Sequence, residues 1–138
     1  MVTIRPATHA DIPDILEFWR RAAENTDRQD DASKVTALID HDPDALLVAE
    51  LDGVLAGTVI AGWDGWRAHL YRLAVAPEFR RRGVGSALIA AAEKRFENFG
   101  AFRADAMVLR DNDLAHHAWK AAGYHAQPHW GRWVKTLG

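Results

Sequence analysis

The chain has 138 residues, 49% apolar and 26% charged, the balance of one globular domain long enough to bury a core. Its formal net charge of −2 gives no field to draw it to nucleic acid or anionic lipid, and no apolar run approaches the roughly 20 residues of a membrane span. With no cysteine there is no disulfide, thiolate metal site or cysteine nucleophile; an N-terminus without a basic region and apolar run also points to a cytoplasmic protein.

Val2 to Arg5 reads as a short strand ended by Pro6. Thr8 is placed to cap a helix with Asp11 near its positive end, and Ile12, Ile15, Leu16, Trp19 and Ala23 form a helical stripe. Glu24 to Asp31 is polar and mostly acidic, a loop; Ala32 to Ile39 is a weaker helix with Val35, Leu38 and Ile39 on its apolar side. The period then changes. Ala45 to Leu51 and Val54 to Ala61 are apolar runs joined by Asp52-Gly53, a two-residue hairpin signal. Gly62-Trp63-Asp64-Gly65 predicts a second turn, and Trp66 to Val75 a third strand, stopped by Pro77. After Gly83 and Gly85 comes a long helix with Val84, Leu88, Ala91, Ala92, Phe96 and Phe99 along one side, closed by Gly100. Arg103 to Leu109 is another strand, Asp111 to Ala122 another helix ended by Gly123, and Tyr124 to Leu137 supplies one or two closing strands. With no repeat or linker, residues 1–138 form a single domain. The order predicts a mixed α/β (α+β) fold, a central and mostly antiparallel sheet flanked by about four helices, without Rossmann alternation.

The most informative stretch runs from Leu73 to Leu88, where a strand ends, Arg80-Arg81-Arg82 follows, and Gly83-Val84-Gly85-Ser86 opens a helix. A helix N-terminus leaves backbone N–H groups unpaired and carries partial positive charge, so it suits an anion. Glycines allow close backbone approach, and arginines add charge-assisted donors. The plainer reading is a turn followed by a solvated basic surface. Neither the P-loop nor the dinucleotide glycine pattern is present.

The loop resembles the pyrophosphate motif of the GNAT superfamily of acetyl-CoA-dependent N-acyltransferases, Gln/Arg-x-x-Gly-x-Gly/Ala. Tyr71 to Pro77 looks like that family's fourth strand, and Asn112, Ala115, Gly123 and Tyr124 are similar in type and spacing to its second signature. The likeness runs from Ile4 to at least Tyr124, and Leu46 to Leu88 resembles small bacterial YpeA-like members. It implies a splayed sheet with acetyl-CoA lying in the gap. On that likeness main-chain groups of Leu73, Ala74 and Val75 would hold the pantetheine arm, and Arg80, Arg81, Arg82, Gly83, Val84, Gly85 and Ser86 would wrap the pyrophosphate. Asn112, Ala115 and Trp119 would line the thioester end, and a backbone N–H near Val75 would stabilise the oxyanion. The acetyl group would pass directly to a primary amine of a small molecule, amino-acid derivative or peptide in a ternary complex.

Two departures bear on the proton. Many members carry a tyrosine acid where this chain has Trp119, whose indole N–H is a donor but no useful acid. Many also carry a glutamate base on the fourth strand, where His69 to Leu73 offers His69, Tyr71 and Arg72 but no carboxylate. His69 is a candidate base or an ordinary sheet residue. These losses favour the rival reading, a noncatalytic acetyl-CoA-binding sensor or partner module on the same fold.

Seven histidines invite a metal, but the adjacent His116 and His117 point apart, and Pro128 spoils the spacing of His125 and His129, so none is expected. Asp27 and Asp30 in the acidic loop, with Trp63 and Asp64 at the second turn, are candidates for binding a cationic acceptor; the alternatives are a solvated loop and ordinary packing. Trp130 and Trp133 suit either closing strands or a homodimer interface.

Overall fold

The structure is a computed structural model and describes residues 1–22, 30–110 and 112–138. Its elements are β1 (Val2–Pro6), α1 (Ile12–Ala22), α2 (Ala32–His41), β2 (Leu46–Leu51), β3 (Val54–Trp63), β4 (Ala68–Val75), α3 (Val84–Asn98), β5 (Ala104–Ala106) and α4 (Asp113–Ala121). The strands form one sheet in the order β1-β2-β3-β4-β5. Every neighbour is antiparallel except β5, which runs parallel to β4. The mixed α/β class, the antiparallel sheet and the four helices are as the sequence predicts.

Alternation along β2 and β3 divides the core between two faces. Leu46, Val48 and Ile60 pack with Ile15, Phe18 and Trp19 of α1 and with Val35 and Ile39 of α2. Leu47, Ala49, Val59 and Ala61 pack on the other face with Val84, Leu88, Ala92 and Phe96 of α3 and Trp119 of α4. Gly57 sets how closely α3 lies on the sheet: a Cβ there would stand 2.8 Å from the Ala74 carbonyl oxygen and 2.9 Å from Val84 Cγ1. The β2–β3 turn places Asp52 and Gly53 at φ of 55° and 77°, the left-handed pair that a two-residue hairpin demands.

The start of α1 is fixed electrostatically. Asp11 accepts the Thr8 N–H at 2.7 Å and two hydrogen bonds from the Arg5 guanidinium at 2.7 and 2.8 Å. Arg5 beside it holds the Asp11 carboxyl far below the ordinary carboxylate range. A depressed folded pKa contributes stability above the unfolded value, near 4, and loses it as pH falls through the folded one. Because the pair is partly exposed, Asp11→Asn is expected to cost about 1 kcal/mol at neutral pH. Thermal melts from pH 7 to pH 2 should show the gap between wild type and variant closing below about pH 4.

Several boundaries differ from the sequence reading. Pro6 pairs with Leu47 as the last residue of β1 rather than ending it. Phe18 and Ala22 are buried on α1, Leu16 only partly; Ala23 lies outside the described residues. Gly62 and Trp63 still pair with β4, so the second turn begins at Asp64. Phe99 is exposed rather than part of the α3 core stripe; Ala91 packs only at its edge. The strand expected from Arg103 to Leu109 shrinks to Ala104–Ala106, because β5 leaves β4 after Ala106. Helix α4 starts at Asp113, capped by the Asn112 side chain accepting from Ala115 N at 3.0 Å; Asp111 is outside the described residues. Tyr124 to Leu137 forms no closing strand. Trp130, Trp133, Val134 and Leu137 are exposed there, so no packing offsets the cost of ordering them.

Candidate functional site

The site is built on an irregularity in β4. Thr58 pairs with Ala74, but Ile60 pairs with Tyr71, so β4 carries one extra residue opposite Val59. Arg72 takes up the bulge at a φ of 55°. The bulge inverts the strand. Ala68 and Leu70 face α3, whereas Ala74 and Ala76, which an unbroken alternation would place with them, face α1 and α2.

Main-chain direction changes as well. The Leu70 carbonyl accepts from Met107 N, toward β5, while Ala76 N donates to the Ala56 carbonyl at 2.8 Å, toward β3. By alternation back from Ala76, Ala74 faces β3, and the main-chain groups of Leu73 and Val75 face the β5 side. Strand β5 pairs only with Ala68 to Leu70, so beyond that point a gap opens between β4 and the chain leading to α4.

Below the gap, a 3-10 turn at Pro77–Phe79 leads into the arginine loop and α3. Arg81 and Gly83 are left-handed, at φ of 63° and 80°. Ala87 N donates to the Gly83 carbonyl in the first helical bond, so the N–H groups of Val84, Gly85 and Ser86 lie in the first turn with no helical acceptor. Gly85 has an ordinary backbone, and a Cβ there would meet nothing nearer than Val75 Cγ2 at 3.7 Å. Among the described residues, Arg80, Arg81 and Arg82 form no ion pair; Arg82 lies 6.0 Å from the Phe79 ring centroid. Asn112 and Ala115 begin α4. Trp119 is buried in the α3 core with its ring edge against Tyr124, centroids 5.0 Å apart. Tyr124 donates to Glu93 at 2.9 Å, and burial together with that carboxylate pushes its hydroxyl pKa far up.

The acetyltransferase (GNAT) family model matches residues 11–124. The chain belongs to this family. This acetyltransferase is 33% identical over 124 residues to acetyltransferase SG1711 of Sodalis glossinidius, covering 90% of this chain and 87% of that one. It is 37% identical over 110 residues to acetyltransferase plu1384 of Photorhabdus laumondii, covering 80% and 77%. In fold it is similar to Ard1 from Thermoplasma volcanium, TM-score 0.80 at 24% identity over 91% of this chain and 84% of that one. It is also similar to yncA from Salmonella typhimurium, solved with its cofactor acetyl-CoA, TM-score 0.73 at 23% identity over 89% and 79%.

Of the remaining candidates of this acetyltransferase, His69, Asp64 and Trp63 lie at the opposite end of β4. His69 Nδ1 lies 2.7 Å from Asp105 of β5, and Nε2 lies 3.9 Å from Asp64. Asp64 caps its own turn, accepting from Arg67 N at 2.7 Å and Trp66 N at 2.8 Å; these two bonds lower its pKa. Asp30 holds Arg72 in two bonds of 2.6 and 2.7 Å, Asp31 caps α2 through Lys34 N, and Asp27 lies outside the described residues. Trp63 stacks on Phe99 with centroids 5.4 Å apart, which occupies one face of its ring. Among the described residues there is no group of three metal-ligating side chains, and no helix is long and apolar enough to cross a membrane. A cleft of about 350 Å³ between Arg5, Asp44, Arg95 and Phe99 sits at the β1 side and contains none of the candidates.

Sequence reasoning missed Asp105 and Thr58. Asp105 left no local signal, because its partner stands on another strand. Thr58 did: a lone hydroxyl inside the run Val54 to Ala61 is a polar group headed for the core.

Proposed function

We propose that this acetyltransferase transfers the acetyl group of acetyl-CoA to a primary amine of a small molecule, an amino-acid derivative or a peptide, by direct attack in a ternary complex. The observation that carries the reading is the cradle at Gly85: the fold leaves room for a side chain that the sequence does not use, beside first-turn N–H groups with no helical acceptor and arginines that form no ion pair among the described residues. Acetyl-CoA would supply an activated thioester. Val84, Gly85 and Ser86 hold its pyrophosphate through main-chain N–H groups, helped by Gly83 and by Arg80, Arg81 and Arg82. Leu73 and Val75, flanking Ala74, offer main-chain donors to the pantetheine arm and to the carbonyl oxygen, where preorganised dipoles stabilise developing charge. Asn112 and Ala115 border the other side of the gap, with Trp119 packed behind them.

His69, with Nδ1–H donating to Asp105, keeps Nε2 as a proton acceptor. Stepping along β4, it stands about 12 Å from Leu73, so it acts through water. The carboxylates of Asp64 and Asp105 favour a cationic acceptor, an amine rather than a hydroxyl.

Thiol release from acetyl-CoA across a panel of amines and alcohols tests the reading. Turnover with amines and none with alcohols is expected. Tight acetyl-CoA binding with no turnover on any amine would favour the sensor reading instead.

A further inference from the structure

Arg72 is an arginine in a conformation that suits glycine, and four contacts hold it there. Its carbonyl accepts from Thr58 Oγ1 at 3.0 Å. Thr58, fully buried, accepts in turn from Trp19 Nε1 at 2.9 Å. The Arg72 guanidinium lies 4.7 Å from the Trp19 ring centroid, and Asp30 grips it from the start of α2. The chain of contacts therefore leaves Arg72 by its main chain and returns by its side chain. A left-handed backbone is strained in a non-glycine residue, so the conformation persists only because its surroundings impose it.

We infer that Trp19, Thr58 and Arg72 are positioning residues that aim the Leu73 N–H at the acetyl carbonyl. The 72–73 peptide is trans, so its carbonyl and its N–H point in opposite directions. With the Arg72 carbonyl tied to Thr58 on β3, the Leu73 N–H is directed into the gap. A hydrogen bond to that carbonyl also polarises the peptide and makes its N–H a stronger donor. Trp19 fixes the rotor: with the indole N–H occupying one lone pair of Thr58, the hydroxyl proton turns to Arg72. The inference rests on the proposal that main-chain N–H groups of β4 receive the thioester carbonyl.

The test is infrared difference spectroscopy of acetyl-CoA labelled with ¹³C at the thioester carbonyl, bound to wild type, Thr58→Val, Thr58→Ser and Trp19→Phe, with calorimetry and melting on each. The wild type should lower the carbonyl stretching frequency. Thr58→Val, equal in size and lacking the hydroxyl, should lose most of that shift and about tenfold to a hundredfold in kcat, with acetyl-CoA affinity within about threefold. Thr58→Ser should restore both, and Trp19→Phe should fall between. A Thr58→Val protein that keeps the wild-type frequency overturns the inference; should that variant fail to fold, a Trp19→Phe protein that keeps the wild-type frequency does the same. A wild type without any shift removes the main-chain donors themselves, and the positioning role with them.

Discussion

Replacing Gly85 should stabilise the free protein and weaken its hold on acetyl-CoA, two effects of opposite sign from one methyl group. Gly85 is the second residue of α3 and has no positive φ, so alanine fits its backbone. The added Cβ would touch only Val75 Cγ2 at 3.7 Å, an ordinary contact. Glycine inside a helix costs about 0.5–1 kcal/mol relative to alanine, so Gly85→Ala should raise Tm by about 2–5 °C without ligand. If the pyrophosphate approaches the N–H groups of the first turn, that same methyl stands in its path. A loss of about tenfold in acetyl-CoA affinity is expected for alanine. Glutamate at the same place sets a like charge against the phosphates, and about a hundredfold or more should be lost. Gly83 gives a less clean test. Its φ of 80° strains any side chain, so a variant there mixes backbone strain with blocked binding. Calorimetry and melting on Gly85→Ala and Gly85→Glu check both signs. Stabilised variants with undiminished affinity would remove the phosphate loop.

The parts of this site that were legible in the sequence are those set by neighbours along the chain. Arg80 to Ser86 announce a helix start through spacing alone, because it depends on a turn's worth of residues, whereas the helix expected from Asp111 starts at Asp113 behind an Asn112 cap. Asp52-Gly53 dictates its hairpin for the same reason. The bulge at Arg72 had no such signal. It depends on which residue of β3 faces which residue of β4, and nothing within β4 marks an arginine as left-handed. Thr58 acquires its role only once that register exists. Period counting also misplaced the end of the molecule. Trp130, Trp133 and Val134 look like strand residues by composition, but a strand needs an edge to join, and β5 offers only Ala104–Ala106. In the acidic loop, charge suggests a substrate site or a solvated loop, and two of its carboxylates have partners within the fold. Asp30 spends its charge on Arg72 and Asp31 on the cap of α2, so both carboxylates serve the fold that carries the gap.

The second large effect is expected at His69, and it separates two routes for the proton. An ammonium acceptor must lose a proton before it attacks, whereas a thiolate leaves readily and collects its proton from water. Removing the base should therefore cost more than removing an acid. Among the described residues, neither Trp119 nor Tyr124 is placed to serve as that acid. Trp119 is 6% exposed, and the Tyr124 hydroxyl is bound to Glu93 with its pKa raised. Trp119→Phe should keep kcat within about threefold and cost mainly packing, of the kind that makes large-to-small core changes destabilising. His69→Gln should lower kcat at neutral pH by about a hundredfold, the lower end of the contribution of general base catalysis. Asp105→Asn, which leaves Nδ1 without its carboxylate, should cause a smaller loss. The deficit of His69→Gln should shrink as pH rises toward that of the free amine, since the acceptor then arrives already deprotonated and needs no base. Rate–pH profiles for all three variants, with acetyl-CoA affinity measured alongside, decide the matter. A His69→Gln enzyme with wild-type kcat at neutral pH would place the proton's exit elsewhere in bulk water. A hundredfold loss in Trp119→Phe, with affinity and melting intact, would instead make the indole N–H a participant.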